Sequence, residues 1–288
     1  MTRLKFWGVR GSIPSPGPST LRYGGNTSCL EVRNEDRFFI FDAGSGIREL
    51  GNSLLNSGQN IKGHIFISHL HWDHIQGIPF FTPAYIPGNE FTFYSAKDVN
   101  SGLKELISSQ MDSVYFPVEM DDMCAELQFH ALQEGRFEVD NIPVETIFVN
   151  HPGNALGYKL YLDDTILVYI SDNEPFESAP AENADDYIGE DGNEKLIEFI
   201  SGSDILVHDA QYTPEEYESK VTWGHSPYDY TVNLALRAGV KKLFLFHHDP
   251  MHNDEKVDEI LAGAKSLAAS SDSRMEIEAA REGLMLEI

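Results

Sequence analysis

Three histidines and one aspartate fall within six residues in the segment Ser68-His69-Leu70-His71-Trp72-Asp73-His74. Neutral imidazole and carboxylate are donors that suit Zn²⁺, Mn²⁺ or iron. The apolar stretch His64–Ser68 just before them reads as a strand. In extended backbone alternate side chains share a face, so His69 and His71 can reach one ion. Asp73 and His74 follow where the chain turns and can aim at a second ion beside the first. Such residues are poor packing groups unless partnered, so the cluster reads as a metal site rather than as core. Three later polar residues each stand at the end of an apolar stretch. His151 follows Ile142–Val149, Asp172 follows Ile166–Ile170, and His247 follows Leu243–Phe246. Side chains at strand ends converge on one edge of a sheet, where ligand sites of α/β folds gather. Together the seven residues make two three-ligand sets and one carboxylate able to bridge them.

The elements that must hold these residues are legible as periodicity. Short β-branched or aromatic stretches predict further strands at Leu4–Val9, Ser28–Val32, Phe38–Phe41, Phe91–Tyr94, Tyr158–Leu162 and Ile205–His208. Val257, Ile260, Leu261, Ala264, Leu267 and Ala268 keep helical spacing, with Asp254 and Glu255 at the positive end of the dipole. A second helix is predicted from Ser226, with Ser226 as N-cap, Pro227 in the first turn and Gly239 as the stop. Further helices are expected around Ile47–Leu55, Gly102–Gln110 and Glu194–Ile200. Strands in both halves with helices between them predict an α/β fold of sheets covered by helices. The Gly-, Pro- and Ser-rich stretch Gly11–Gly25 predicts a loop at a surface or a site mouth.

Composition limits the partners. The chain has 288 residues, and 21 Lys and Arg against 46 Asp and Glu give a formal charge of −25. A long nucleic acid is disfavoured, because neutralising phosphates supplies most sequence-independent affinity. Docking on anionic lipid is disfavoured for the same reason. With only Cys29 and Cys124, neither a disulfide framework nor a thiolate zinc cluster is expected. No apolar run nears the roughly 20 residues of a spanning helix. The segment Met1–Phe6 lacks a secretory pattern, so the cytoplasm is the expected compartment. The strongest local bias is Asp172–Glu194, rich in acids and free of Lys and Arg. It reads as a solvated acidic loop.

The order and placement of these residues resemble the metallo-β-lactamase fold superfamily along most of the chain. Phe41-Asp42-Ala43-Gly44 looks like the first family motif, in which the aspartate supports the metal loop. The His69–His74 cluster is similar to the second, His151 to the third, Asp172 to the fourth and His247 to the fifth. The resemblance implies a four-layer αββα sandwich spanning residues 1–288 as one domain, with an insertion around 91–140. It implies that His69, His71 and His151 hold one ion, that Asp73, His74 and His247 hold the other, and that Asp172 bridges them. His247 rather than His248 is the implied ligand. Zn²⁺ is the expected metal, with Mn²⁺ and iron accepted by the same donors.

Two further segments, Val207-His208-Asp209-Ala210-Gln211 and Trp223-Gly224-His225-Ser226, resemble the ribonuclease Z-like phosphodiesterase branch. There an acid orients a histidine near the scissile phosphate, which implies that Asp209 fixes His225. His225 would then stabilise the phosphorane charge or protonate the leaving oxygen. Metal binding lowers the pKa of water from about 15.7 to about 7, so attack by a metal-bound hydroxide is expected, with Asp73 as both ligand and orienting group. Gly8–Ser12 and Tyr23–Ser28 are also similar to that branch. Arg10, Arg22 and Asn26 there can reach a phosphate or simply build a turn. The chain lacks the basic Gly/Pro-rich arm with which ribonuclease Z holds tRNA. The expected reaction is therefore hydrolysis of a small phosphodiester, a cyclic nucleotide being one form, by an enzyme expected to be a homodimer. tRNA 3′ processing and lactone or thioester hydrolysis are the alternatives within hydrolases, and a mono-iron oxidoreductase is the alternative outside them.

Overall fold

The computed structural model describes residues 2–55, 60–97, 102–176, 191–271 and 273–288. In chain order the strands and helices begin with β1 (Thr2–Gly8), β2 (Cys29–Asn34), β3 (Arg37–Phe41), α1 (Gly46–Leu54), β4 (Lys62–Phe66), α2 (Trp72–Ile75), β5 (Glu90–Ala96), α3 (Leu103–Ser109) and β6 (Glu126–Leu132). There follow β7 (Gly135–Val139), β8 (Ile142–Phe148), β9 (Leu156–Leu162), β10 (Thr165–Ile170), α4 (Asp191–Ile200), β11 (Ile205–Asp209), α5 (Pro214–Tyr217), α6 (Tyr228–Arg237), β12 (Lys242–Phe246), α7 (Asp254–Ser270), β13 (Glu276–Ala279) and β14 (Met285–Glu287). Contacts divide the chain into two units, Met1–Gln133 with Arg281–Ile288, and Glu134–Ala280.

Each unit carries one seven-stranded mixed sheet. In the first the order is β14-β1-β2-β3-β4-β5-β6, antiparallel as far as β3 and parallel from β3 to β6. In the second the order is β7-β8-β9-β10-β11-β12-β13, antiparallel as far as β10 and parallel from there to β13. The two sheets thus share one topology, in which β3 corresponds to β10 and β4 to β11. Asp42 follows the first of these strands and Asp172 lies just past its counterpart. The inner parallel strands are largely apolar on both faces, as β10 and β11 show by being almost wholly buried. That is the usual cause of an unbroken hydrophobic run.

Ile47, Leu50 and Leu54 of α1 pack into the first unit's core with Phe38, Ile40 and Ile65. In the second unit Ile260, Ala264 and Ala268 of α7 pack with Leu243, Leu245 and Ile277. The side chain of Asn253 caps α7 by accepting from Lys256 N, and Asp254 and Glu255 occupy its first turn.

The helix expected from Ser226 starts later. Its first residue is Tyr228 and Pro227 is the N-cap, while the Ser226 hydroxyl donates to the Asn173 carbonyl at 2.6 Å. Gly239 ends the helix as expected, in a left-handed conformation with φ 69°. Residues 91–140, expected as an insertion, supply β5, α3, β6 and the start of the second sheet at β7. Most of the acidic stretch, from Glu177 to Glu190, lies outside the described residues. Among the described residues no helix is long and apolar enough to cross a membrane.

Candidate metal centre

In the first unit β4 stops at Phe66, and the chain crosses Ser68 and His69 before α2 starts with His71 as N-cap. Asp42, at the end of β3, organises this crossing. Its Oδ1 accepts from Ser68 N at 2.7 Å, and its Oδ2 accepts the Ser68 hydroxyl at 3.0 Å. The same Oδ2 lies 2.8 Å from His74 Nδ1. A carboxylate acceptor there makes Nδ1 the protonated nitrogen of His74 and leaves a lone pair on Nε2. That Nε2 lies 3.1 Å from Asp73 Oδ2, which also accepts Ser12 N–H at 2.7 Å. A lone pair facing a carboxylate oxygen is repulsive unless a cation or proton lies between them, so this pair fits a metal ion. His69 Nδ1 pairs with the Ser68 hydroxyl at 3.0 Å, and its Nε2 faces His71 Nδ1 at 2.9 Å. His69, Asp73 and His74 are buried, whereas His71 and Trp72 are exposed.

Gly44 is required beneath this loop, because a Cβ there would come within 2.2 Å of the Asp73 carbonyl oxygen. Asp42 itself has φ 57°. His247 in the second unit has φ 59°. A side chain in the left-handed region costs of order 1–3 kcal/mol and is kept where surrounding contacts dictate it.

In the second unit one ligand atom from each of His151, Asp172 and His225 lies within 4.8 Å of the others, and so do those of Asp209, His225 and His247. His151 Nδ1 pairs with the Gly224 carbonyl at 2.8 Å, which leaves Nε2 for a ligand, 3.8 Å from Asp172 Oδ2. His247 Nδ1 pairs with Gln211 Oε1 at 3.2 Å, and its Nε2 lies 3.4 Å from Asp172 Oδ1. Both rings are therefore turned so that an unprotonated nitrogen points toward Asp172, the outer partner of each ring selecting the tautomer. His248 takes a different course, with Nε2 paired to the Ala280 carbonyl at 2.8 Å.

The expected Asp209–His225 pairing is present, with His225 Nδ1 2.9 Å from Asp209 Oδ2 and 3.7 Å from Asp172 Oδ2. Asp209 also accepts Gln211 N at 3.0 Å and Asn173 N at 3.3 Å. Burial pushes the Asp209 carboxyl well above the ordinary range and the Asp172 charge adds to this, while the His247 imidazole and the two N–H donors pull the other way. His208 points elsewhere: it is fully buried, and its Nδ1 pairs with the Asp209 carbonyl at 2.7 Å.

Of the early polar residues, Arg10 is wholly buried and its Nε donates to the Gly24 carbonyl at 2.8 Å. Asn26 Nδ2 donates to Glu282 Oε2 at 3.0 Å. These two build the loop, and Arg22 alone is exposed. Sequence reasoning missed Ser12, Ser68, Gln211 and Gly224, the outer partners of the ligand residues. Only Ser68 and Gln211 carry a signal, since Ser68 adjoins His69 and Gln211 stands two residues after Asp209.

The sequence profile of the beta-lactamase superfamily domain matches residues 37–248, and the chain belongs to that family. A ribonuclease Z from Picrophilus torridus is 25% identical over 317 aligned residues, covering 92% of this chain and 91% of the relative. The metallo-beta-lactamase fold protein YhfI from Bacillus subtilis matches with a TM-score of 0.69 at 15% identity, over 100% of both chains. A diphosphatase from the PhnP family matches with a TM-score of 0.66 at 18% identity, over 100% of this chain and 98% of the other. The fold is the α/β metallo-β-lactamase sandwich expected from the sequence. Within it the chain falls in the ribonuclease Z-like branch and is a metal-dependent hydrolase.

Proposed function

We propose that this hydrolase is a dinuclear-metal phosphodiesterase of a small substrate, with a cyclic nucleotide as the favoured class. His69, His71 and His151 are proposed to hold one ion, Asp73, His74 and His247 the other, and Asp172 to bridge. Zinc is the proposed metal, because the donors are imidazole and carboxylate. When bound, the ions supply Lewis acidity and make a water acidic enough to serve as nucleophile near neutral pH.

The observation that carries the phosphodiesterase reading is the 2.9 Å contact between Asp209 and His225, with Asp172 3.7 Å from the same nitrogen. Asp209 accepts from Nδ1–H, and a doubly protonated His225 ring supplies the countercharge that keeps this carboxylate ionised against its burial. His225 Nε2–H can then donate to a leaving alkoxide or to oxygens that gain charge during attack. Thioester hydrolysis gains less from such a donor, since a thiolate leaves without a proton.

The net charge of −25 supports a small substrate, because a long polyanion is repelled while a single phosphodiester meets mainly the cationic centre. The relationship to ribonuclease Z favours a second reading, tRNA 3′ processing. A panel of bis-p-nitrophenyl phosphate, 3′,5′-cyclic nucleotides, precursor tRNA, lactones and thioesters separates the readings. Turnover of the cyclic nucleotide with no cleavage of precursor tRNA at low salt is the expected result. Steeply salt-dependent cleavage of precursor tRNA, or ester turnover without phosphodiester turnover, would overturn it.

A further inference from the structure

Glu174 stands two residues beyond Asp172 and takes no part in the proposed ligand set or in the Asp209–His225 pair. It is buried, and a buried carboxylate is costly unless donors fill its lone pairs. Three donors from one stretch of chain do so. Oε1 accepts the Tyr217 hydroxyl at 2.8 Å and Thr222 N at 2.6 Å, and Oε2 accepts Gly224 N at 2.9 Å. Thr222 and Gly224 are both left-handed, with φ 75° and 87°. Backbone of this kind turns successive N–H groups toward one anion. A β-branched threonine takes such a conformation only when it is held there.

The held turn reaches two functional rings. The Gly224 carbonyl pairs with His151 Nδ1 at 2.8 Å, and a Cβ on Gly224 would come within 2.3 Å of that nitrogen. The next residue is His225, whose Nδ1 is 2.9 Å from Asp209. Glu174 N also donates to the Asn150 carbonyl at 2.8 Å, on the residue before His151. One residue therefore joins the two, its carboxylate holding the turn that carries His225 and its backbone N–H the strand end that carries His151.

We propose that Glu174 is a positioning residue: the anion around which Thr222–Gly224 folds, and through that turn the group that sets the His151 tautomer and the direction of His225. This rests on the roles proposed above for His151 and His225. A plain loop anchor would hold Tyr217 as much as the turn, and would leave both rings unaffected.

The full-length protein carrying Glu174→Gln or Tyr217→Phe tests the proposal. Glutamine has the same shape, but its NH₂ must face either Thr222 N–H or Gly224 N–H. Tyr217→Phe removes one donor and keeps both backbone contacts. Three readouts apply: zinc affinity by competition with a chromogenic chelator, kcat and KM on bis-p-nitrophenyl phosphate, and histidine ¹⁵N shifts of the zinc-free protein. For Glu174→Gln we expect zinc affinity about 10–100-fold weaker at one ion, the scale known for outer partners of ligands. A lower kcat with little change in KM should accompany it, and the His151 ¹⁵N shifts should move away from the Nδ1-protonated form. Tyr217→Phe should stay near wild type in all three.

Wild-type zinc affinity tests the ligand assignment by itself, and the zinc-free ¹⁵N shifts test the Glu174 clamp without metal. Unchanged ¹⁵N shifts and zinc affinity in Glu174→Gln would overturn the proposal, as would equal damage from Tyr217→Phe. Should Glu174→Gln fail to fold, Glu174→Asp keeps the charge one methylene short and is judged by the same readouts.

Discussion

Replacing Asp209 by asparagine tests the part assigned to His225. The carboxylate is fully buried, with Oδ2 2.9 Å from His225 Nδ1 and Oδ1 accepting Gln211 N at 3.0 Å. Asparagine keeps the shape but turns one of these acceptors into a donor. If its NH₂ faces Gln211 N–H, two donors oppose each other. If it faces His225, the imidazole must present a lone pair on Nδ1, so the ring keeps Nε2–H but stays neutral and is a weaker acid. Either way the charged acceptor that favours the protonated ring is lost. A hydrogen bond to a charged group is worth about 1.5–3 kcal/mol. At about 1.36 kcal/mol per tenfold in rate, kcat should fall about 10–150-fold. The assay is steady-state hydrolysis of a 3′,5′-cyclic nucleotide beside bis-p-nitrophenyl phosphate, with zinc content measured on the same sample. The nitrophenolate leaves without a proton, so its loss should be the smaller if His225 protonates the leaving oxygen. A kcat for Asp209→Asn on the cyclic nucleotide within about twofold of wild type would show that the Asp209 charge does not act through His225.

Three further outcomes follow from other parts of the molecule. Burial lowers the His208 imidazole to about 4 from 6.5, so the unfolded chain binds a proton that the folded one refuses. The His208 contribution to stability is therefore full above pH 6.5 and is lost as pH falls from there toward 4, by about 3 kcal/mol at roughly 1.36 kcal/mol per unit. Urea unfolding at pH 7 and pH 4 should show less pH dependence in His208→Asn, and an equal dependence in both proteins would contradict this role of His208. Gly44→Ala drives a Cβ to 2.2 Å from the Asp73 carbonyl oxygen and 2.4 Å from Thr27 Oγ1. It should lose roughly 1–3 kcal/mol in urea unfolding, the usual range for overpacking, and weaken zinc binding as well. Removing metal with a chelator should abolish turnover and lower the thermal midpoint, since free zinc at about 100 times its Kd adds about 2.7 kcal/mol. Restoration by added zinc completes that check.

The central strands were legible because burial on both faces leaves an unbroken apolar run, as in Leu167–Ile170 and Leu243–Phe246. The four strands missed, β6, β7, β13 and β14, are the four sheet edges. An edge strand such as Glu126–Leu132 is largely exposed, so its apolar residues come singly between polar ones and make no unbroken run. Ser226 failed as an N-cap because its hydroxyl is claimed by Asn173, 53 positions away, a contact that no local pattern encodes. The same holds for Glu174, whose backbone donors lie 48 and 50 positions further on. Its place in an acidic run suggested only a solvated loop. The histidines and aspartates of the candidate centre could be read because metal chemistry restricts residue type and spacing together. Their outer partners are backbone groups or ordinary polar side chains, which carry no such restriction.

Metal stoichiometry decides whether a pair of divalent ions serves phosphodiester hydrolysis in this protein. Elemental analysis of the purified protein, with phosphodiesterase activity followed as metal is restored, should give about two zinc-type ions per chain, the count a two-metal hydrolase needs. Activity should rise with occupancy and be lost in His69→Ala. A single iron per chain with oxygen consumption, or full phosphodiester turnover in His69→Ala, would contradict it.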